Sequence, residues 1–398
     1  MRKTGIVIIS FLLYSLSAYA CTGFYVCRGN RIYAGNNEDH NNPRTKMWIM
    51  PPEKGSYGRI FFGYDDYYPQ GGINEKGLFF DGFATEPKKV LKSVGKPHYD
   101  KIYDNFQNEI LSTCATVDEV IAFVRHYNLD FLERGMFFFG DAKGESIIIE
   151  GDSILRKKGD FQIVTNFYQS QTTNITCERY KTAYKMLTKT ADVSINRCRD
   201  ILNATHAENA DNATLYSQVY DIKDLIIYIY NFHNYNDCIK IDLNEALKKG
   251  RQYYDLPSLF PKSTSFELFE KRYNEKHGYY LDQRKPKKEG NIDLTNRLGY
   301  YFNKSLIGPK NKSYPVDSIH LLSLSKDNDR IIYTELYGQG FRCVLEPEVN
   351  NRYSYKSDFG QLSLTFSDKN PAELNCEIVL SNNDKYTWIC RKTTRVIN

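Results

Sequence analysis

The sequence lacks the local signatures of several large enzyme classes. It has no Walker phosphate-binding loop, no HExxH zinc motif, no paired CxxC and no G-x-S-x-G nucleophile elbow. The histidines are dispersed and none stands at metal-ligand spacing from another: His40, His98, His126, His206, His233, His277 and His320. Nothing in this spacing favours a Ser or Cys triad with a distant histidine. We therefore expect no metal and no cofactor.

Strong charge and long apolar runs are scarce as well. The formal net charge is +5 over 398 residues, and Lys and Arg form no basic stripe, so a nucleic-acid partner is not expected. After residue 20, no apolar segment approaches the roughly 18 to 20 residues of a membrane span. A small molecule is therefore the expected partner, and the sequence leaves a homo-oligomer open.

What the sequence does contain is an N-terminal segment with the three-part plan of a secretory signal. Arg2 and Lys3 precede an apolar run over residues 6–16, and Ala18-Tyr19-Ala20 follows as a small-x-small cleavage site. We interpret residues 1–20 as a signal peptide. Such a segment would direct the protein to export. Its cleavage would make Cys21 the first residue of the mature chain.

A mature chain that begins with cysteine carries a thiol and a free α-amino group on one residue, so a nucleophile and a base are covalently pre-positioned. The amine, with a pKa of about 8, is roughly matched to a thiol of about 8.5, and the base needs no histidine. The alternative is a lipid anchor on Cys21, which would block both groups. Ala18 and Tyr19 fit a lipobox poorly.

The cysteine count of nine is odd, so at least one thiol is left over in an exported chain that permits disulfides. Cys21 is our candidate for that thiol. Cys376 and Cys390 lie symmetrically about Asn383 in a predicted hairpin. The sequence leaves open whether a disulfide joins them.

The order of predicted elements indicates an α+β protein. Strands alternate with helices near 100–127, 177–188 and 194–203, which suggests helices outside antiparallel sheets over residues 21–265. Thr116 and Glu119 form a capping box for the second of these helices. A charged helix and linker follow at 266–291, and short alternating segments predict a small all-β domain at 292–398.

Four motifs in order resemble the choloylglycine hydrolase and penicillin V acylase group of N-terminal nucleophile hydrolases, which also includes acid ceramidase-like amidases. The resemblance covers roughly residues 21–260 and rests on Cys21-Thr22, Asn37-x-Asp39, the segment Gly72 to Leu78, and Thr165-Asn166. It implies a four-layer αββα core and a hydrolase acting on linear amides, with acyl transfer to an amine as an alternative.

The resemblance also implies roles for individual residues. Cys21 Sγ attacks the amide carbonyl, Asp39 holds the α-amine, and Asn166 donates to the oxyanion together with a backbone N–H near Ala84. Arg179 stands where ceramidase-like members place an arginine. Further residues are expected to line the substrate site, the aromatic ones on loops over a pocket: Asn36, Trp48, Phe61, Phe62, Tyr64, Asp81 and Ala84.

Two positions depart from the family pattern. Asn36 replaces an arginine three residues before Asp39, which removes a positive charge that would favour the thiolate. Ala84 replaces an asparagine after the Gly77-Leu78 strand, so only a backbone role is left there. A competing interpretation from another class is a surface lipoprotein that binds a ligand through its C-terminal β-domain and has a non-catalytic core.

Overall fold

The structure is a computed structural model that describes residues 21–64, 68–99, 106–189, 191, 193–210, 212–276, 297–308, 313–314, 321–327, 330–335, 342–357, 360–380 and 383–393. The expected signal peptide at 1–20 lies outside these residues, as does 277–291 of the expected linker. Among the described residues, no helix has both the length and the apolar character needed to cross a bilayer.

The first sheet carries the N-terminal strand next to one of its edge strands. Its six antiparallel strands run in the order β10-β1-β2-β11-β12-β13. Their bounds are β1 Thr22–Arg28, β2 Arg31–His40, β10 Phe161–Val164, β11 Ala213–Asp221, β12 Ile226–Asn231 and β13 Asn234–Asp242. Because β1 lies between β10 and β2, the residue that precedes it is fixed from both sides.

The second sheet has eight antiparallel strands in the order β14-β3-β4-β5-β6-β7-β8-β9. Their bounds are β3 Lys46–Met50, β4 Arg59–Gly63, β5 Pro69–Asn74, β6 Phe79–Ala84, β7 Gly135–Gly140, β8 Ser146–Glu150, β9 Ser153–Arg156 and β14 Gln252–Asp255. The aromatic stretch between residues 41 and 70, expected to form loops over a pocket, supplies β3 and β4 of this sheet. For Trp48, Phe61 and Phe62 that expectation is wrong, because these side chains alternate along buried strands, whereas Tyr64 follows the end of β4.

Of the described helices, α1 to α4 lie on the outer faces of the two sheets, whereas side chains of α5 and α6 join the inter-sheet cluster. Their bounds are α1 Phe106–Thr113, α2 Val117–Arg125, α3 Glu178–Thr188, α4 Ile195–Thr205, α5 Leu243–Lys248 and α6 Thr264–Lys276, with 3₁₀ turns at Asp130–Arg134 and Leu256–Leu259. The predicted capping box of α2 is present, with the Thr116 side chain accepting from the Glu119 N–H. Its burial pattern of Val117, Val120, Ile121 and Val124 is the predicted apolar face.

Three separate hydrophobic clusters show how these layers stack. The first joins side chains of both sheets, among them Tyr25, Phe62 and Phe138. The second lies between the eight-stranded sheet and α1 and α2, and a further cluster lies between the six-stranded sheet and α3 and α4. The predicted α+β architecture with a four-layer αββα core is therefore confirmed.

Burial on both faces explains the composition of the strands. In β7, Phe138 faces the inter-sheet cluster while Phe137 and Phe139 face the helices. Such strands read as continuous apolar runs, because neither face meets water.

Helix α6 extends this unit beyond residue 265. Phe266 and Phe269 belong to the inter-sheet cluster and contact Phe232 with ring centroids 5.4 and 5.2 Å apart. The described part of the segment expected as a solvated helix and linker is therefore docked along one face. The exact limits at 265/266 and 291/292 stay predictions.

The C-terminal unit is an all-β structure, as predicted. Its antiparallel strands are β15 Gly299–Ile307, β16 Ser313–Tyr314, β17 Leu321–Asp327, β18 Arg330–Glu335, β19 Arg342–Pro347, β20 Arg352–Ser357, β21 Gly360–Phe366, β22 Glu373–Leu380 and β23 Lys385–Thr393. β16 pairs with β15, and from β17 onward each strand pairs with the next one in sequence. β15 also pairs with β17 and β23, so this sheet closes on itself. Side chains such as Tyr301, Leu364 and Phe366 fill its interior.

The predicted hairpin between Cys376 and Cys390 is present as β22 and β23, with Asn383 at a positive φ of 67° in its turn. The register places Cys376 opposite Trp388 and Cys390 opposite Leu374, so the two cysteines are diagonal neighbours. Both are thiols, with the sulfurs 3.8 Å apart. The bridge is thus not formed in this structure.

Close contact between the sheets below β1 depends on Gly140. A Cβ at this position would lie 2.4 Å from the ring of Tyr25, whose hydroxyl is itself fixed by a 2.6 Å bond to the Asp141 carbonyl. We predict that Gly140→Ala lowers the free energy of unfolding by about 1–3 kcal/mol, measured by denaturant titration. Gly82→Ala is the matched control, because the nearest atom to its Cβ is at an ordinary 3.4 Å. Equal stability of the two variants would contradict this account.

Candidate active site

Cys21 lies at the end of the six-stranded sheet, directly before β1. Thr22 pairs with Asn37, so the same register carried back by one residue sets Cys21 opposite Glu38 and beside Asp39. The thiol is buried with 4% exposure and faces the inter-sheet cluster. Its Sγ lies 3.9 Å from the Asp39 carbonyl oxygen.

Asp39 is fully buried at the end of β2, and its two carboxylate oxygens have different environments. Oδ1 accepts a hydrogen bond from the Thr214 hydroxyl of β11. Oδ2 is buried and accepts none from the described residues. A buried carboxylate oxygen without a donor is costly, so this atom is suited to a cationic donor arriving beside Cys21.

Two further carboxyl groups are buried beside the thiol. Glu38 faces the inter-sheet space and accepts from the Tyr64 hydroxyl at 3.0 Å. Asp81 of β6 lies on the facing sheet with 1% exposure, and its Oδ1 accepts the Gly82 N–H. Sequence reasoning missed Glu38, although four consecutive polar residues inside a strand, at 36–39, were the available signal.

Burial dominates the acid–base properties of this cluster. It raises the pKa of Glu38 to about 8 and that of Asp39 to about 7, and it raises the pKa of Asp81 well above its usual value. Burial also raises the pKa of the Cys21 thiol, and the charges of Glu38, Asp39 and Asp81 raise it further. With Cys21 in peptide linkage, the site therefore favours the neutral thiol and weakens it as a nucleophile.

Arg179 brings a positive charge to the site from α3. Its Nη1 donates to the Cys21 carbonyl at 2.5 Å and to the Thr22 hydroxyl at 3.0 Å. Its charge also lowers the pKa of Asp39, against the larger effect of burial. Asn36 adds no charge to the site, and its amide donates to Glu38 Oε2 at 3.5 Å.

Asn166 follows β10 and joins Arg179 to the second sheet. Its Oδ1 accepts from Arg179 Nη2 at 3.3 Å, and its Nδ2 donates to the Ala84 carbonyl at 2.9 Å. One N–H of this amide is therefore used by Ala84, and the amide has a second N–H to donate. The structure thus brings together Cys21, Asn166, Arg179 and Ala84 through direct contacts.

The aromatic residues expected to bind substrate divide between two faces of the second sheet. Phe62 and Tyr64 face the inter-sheet space together with Cys21. Trp48 and Phe61, which are register partners, lie in the cluster between this sheet and α1 and α2. The expectation for Trp48 and Phe61 is corrected accordingly, because successive residues of a strand point to opposite faces.

His40 gives no support to a Cys–His pair. Its Nδ1 accepts the Asn42 N–H at 3.0 Å, and burial lowers its pKa to about 4. The ring is also in contact with Tyr64, at 4.5 Å between centroids. His40 is therefore neutral and fixed at neutral pH, and the base near Cys21 has to be another group.

The fold brings together two of the histidines that are dispersed in the sequence. His206, Glu208 and His233 each offer a ligand atom, and all three atoms lie within 4.8 Å of one another. The two histidines are far apart in sequence, at the end of α4 and at the β12–β13 turn. Spacing along the chain missed them because the fold creates the proximity; the pair His206-x-Glu208 was the only local signal.

The comparisons with known proteins concern the fold. No protein-family model matches the chain, and no curated protein matches it in sequence. The chain is similar in fold to penicillin V acylase from Agrobacterium tumefaciens, with 16% identity and a TM-score of 0.46, over 59% of this chain and 92% of that one. It is similar to a mutant of conjugated bile acid hydrolase from Clostridium perfringens, with 17% identity and a TM-score of 0.46, over 59% and 96% of the two chains. At these identities and TM-scores the likeness says nothing about activity.

The buried Glu38 gives a pH-dependent prediction. Its folded pKa of about 8 lies above its unfolded value, so stability is fully present below about pH 4.5 and is lost as pH rises through about 8. In a chain with a peptide preceding Cys21, Glu38→Gln should match the parent at pH 4 and exceed it above pH 8, on the order of a few kcal/mol. The amide can still accept from Tyr64 and can pair with the unpartnered Asn36 Oδ1.

Denaturant titration across this pH range measures the difference. Glu86→Gln, at an exposed carboxyl, is the control and should leave the free energy of unfolding unchanged across this pH range. A constant difference between Glu38→Gln and the parent from pH 4 to pH 9 would show that the Glu38 carboxyl does not titrate as described.

Proposed function

We propose that this chain is an exported N-terminal-cysteine amidase that hydrolyses a non-peptide linear amide through a thioester acyl-enzyme. The observation that carries the proposal is the buried Asp39 carboxylate, which lies close enough to Cys21 for its charge to act on the thiol and has one oxygen that accepts no hydrogen bond from the described residues. Cleavage between Ala20 and Cys21 would create an α-ammonium group next to this oxygen. The proposal therefore requires that cleavage.

A free α-ammonium changes the electrostatics in the direction that catalysis needs. Glu38, Asp39 and Asp81 are negative or potentially negative groups that raise the pKa of the thiol. A positive charge placed among them stabilises their ionised forms and that of the thiol. The deprotonated amine can then take the proton of Cys21 directly, so it serves as the general base without a histidine.

The proposed reaction has two steps that balance without a cofactor. Cys21 Sγ adds to the amide carbonyl, the C–N bond breaks, and the leaving amine takes the proton that the α-amine had accepted from the thiol. Water then attacks the thioester, which releases the carboxylic acid and restores the thiol. In both steps the second N–H of Asn166 is available to an oxyanion, and a backbone N–H near Ala84 is its proposed companion.

The proposed substrates are N-acyl amides such as bile-salt conjugates, penicillin V-like amides or N-acyl lipids. The inter-sheet wall beside Cys21 combines Phe62 and Tyr64 with the polar Asn36 and Asp81. An apolar acyl group with a polar leaving amine fits this mixed character. Acyl transfer to an amine is the same chemistry with a different second nucleophile.

The nucleophile is tested with the mature protein and a panel of these amides. Cys21→Ala should lower kcat/KM by about three orders of magnitude or more, and mass spectrometry of quenched wild type should find the acyl group on Cys21. Cys27→Ser, in the strand that follows Cys21, should retain activity.

A short peptide left before Cys21 should also abolish activity and slow alkylation of this thiol by iodoacetamide at neutral pH, because burial raises its pKa.

N-terminal sequencing and intact mass of the exported protein separate the alternatives. A free Cys21 is required, and a diacylglyceryl mass at this residue would refute the enzyme and favour the lipoprotein. Added amine that captures the acyl group faster than water would identify an acyltransferase. Amidase activity that survives Cys21→Ala would place the nucleophile elsewhere.

Arg179 is proposed to position Cys21 and to favour ionised Asp39. Arg179→Gln removes the charge that lowers the pKa of Asp39, so the acid limb of the kcat/KM profile should move to higher pH and the activity should fall about 10-fold or more. Arg179→Lys should restore part of the shift. Arg199→Gln, on α4 and paired with Asp200, is the control. A loss of activity without any change in the pH profile would leave Arg179 a purely structural role.

A further inference from the structure

A second cluster of chemically active side chains lies at the same end of the six-stranded sheet as Cys21. It consists of His206 at the end of α4, Glu208 two residues later, and His233 in the turn between β12 and β13. Cys21 precedes β1 and Asn231 ends β12. The antiparallel order therefore places both groups at the same end of the strands. None of the three residues takes part in the proposed amidase chemistry.

The hydrogen bond of His206 prepares this side chain as a ligand. Its Nδ1 lies 2.5 Å from the Asn203 carbonyl oxygen, which requires Nδ1 to carry the proton and donate it. Nε2 is then the nitrogen with the lone pair, and it lies 3.6 Å from Glu208 Oε2. A backbone carbonyl on the second ring nitrogen is the usual orienting contact of a metal-bound histidine.

The turn that carries His233 has a strained backbone, and its sequence is not the one that such a turn favours. Phe232 and His233 have positive φ angles of 45° and 46° in a two-residue hairpin turn. Such a turn prefers Asn-Gly, because a non-glycine residue in the left-handed region carries a steric cost. The strained backbone sets the His233 ring parallel to that of His206, with centroids 5.3 Å apart and 13° between planes.

We propose that His206, Glu208 and His233 bind a divalent transition-metal ion of the Zn²⁺ class. Two imidazoles and one carboxylate are a recognised three-ligand set for zinc. Two ligand atoms on a tetrahedral ion with bonds of about 2.1 Å lie about 3.4 Å apart, so atoms that lie within 4.8 Å of one another have to approach by up to about 1.4 Å. Glu208 can supply this movement, because its side chain is 71% exposed.

The fourth coordination position would be open to a neighbouring cavity. Glu208 and His233 also line a cavity of about 310 Å³, together with Phe232, Phe269 and Arg272. A three-ligand site that faces a cavity leaves room for water or an added ligand atom on the ion.

The ion would act on the amidase site through the loop that holds two of its ligands. Ala207, between His206 and Glu208, exchanges bonds with Thr214: its N–H donates to the hydroxyl at 2.8 Å, and its carbonyl accepts the Thr214 N–H at 2.9 Å. The same Thr214 hydroxyl donates to Asp39. A metal that fixes residues 206–208 therefore also fixes the donor that orients Asp39.

Zinc binding is tested by calorimetric titration of the chelator-treated full chain, with Co²⁺ absorption as a report of coordination geometry. One ion per chain is expected, together with a zinc-dependent rise in Tm. His206→Ala and Glu208→Gln should each lower the affinity at least about 10- to 100-fold. Cys21→Ala should bind zinc like wild type, which separates this test from that of the amidase proposal.

His233→Asn is the decisive variant. Asparagine tolerates a positive φ, so the metal-free variant should be at least as stable as wild type while its Tm no longer rises with zinc. His98→Ala is the matched control, because His98 also contacts a carboxylate, that of Asp130, at 2.9 Å, and belongs to no three-ligand group among the described residues. Zinc binding unchanged in His206→Ala and His233→Asn, or no saturable binding of Zn²⁺, Co²⁺ or Ni²⁺ to the wild type, would overturn the proposal.

Discussion

The burial of three carboxyl groups around one thiol is the constraint on which this molecule depends. Glu38 and Asp81 lie in the inter-sheet space, and Asp39, the next residue of β2, is buried beside Thr214. Charge is poorly solvated at all three groups, and burial is the main cause of each raised pKa. A protein does not maintain such a cluster for stability, because apolar side chains of similar size would pack there at lower cost. A nearby positive charge would stabilise the ionised forms of these groups. Arg179 supplies only part of that charge.

The four-layer architecture is what makes this low-dielectric site available at the end of a strand. Each sheet is covered on one face by helices and on the other by its partner sheet, so even a strand end stays dry. β1 lies between β10 and β2 and fixes the backbone around Cys21, while Arg179 holds the carbonyl of the same residue. These contacts hold the carbonyl side of Cys21. Cleavage would act on its amino side and convert the backbone amide there into a free amine.

Much of the fold follows from local sequence patterns. The capping box of α2, the Asn383 hairpin and the continuous apolar run of β7 each depend on residues close together in the chain, and each is found. The direction in which a side chain of a doubly buried strand points is different. Trp48 and Met47 are adjacent and equally apolar, and only the register of β3 and the layer on each side decide which of them faces Cys21.

The site shows the same division. Cys21 and Asp39 could be proposed because their positions in the sequence carry information, the first after a cleavage site and the second in a motif. The contact of Arg179 with the Cys21 carbonyl joins residues 158 positions apart, and that of Thr214 with Asp39 spans 175. These long-range contacts result from the packing of α3 and β11 on the central strands, which no local pattern specifies.

Thr214 also links the two chemical centres at this edge of the sheet. Its hydroxyl accepts from the loop that carries His206 and Glu208 and donates to Asp39, so the geometry of one center is transmitted to the other through a single side chain. Asp39 has one fixed oxygen and one without a donor among the described residues. A shift of this loop would move the hydroxyl that orients the fixed oxygen. The alignment of the proposed base therefore depends on a loop outside the catalytic residues, and that loop is where an ion would act.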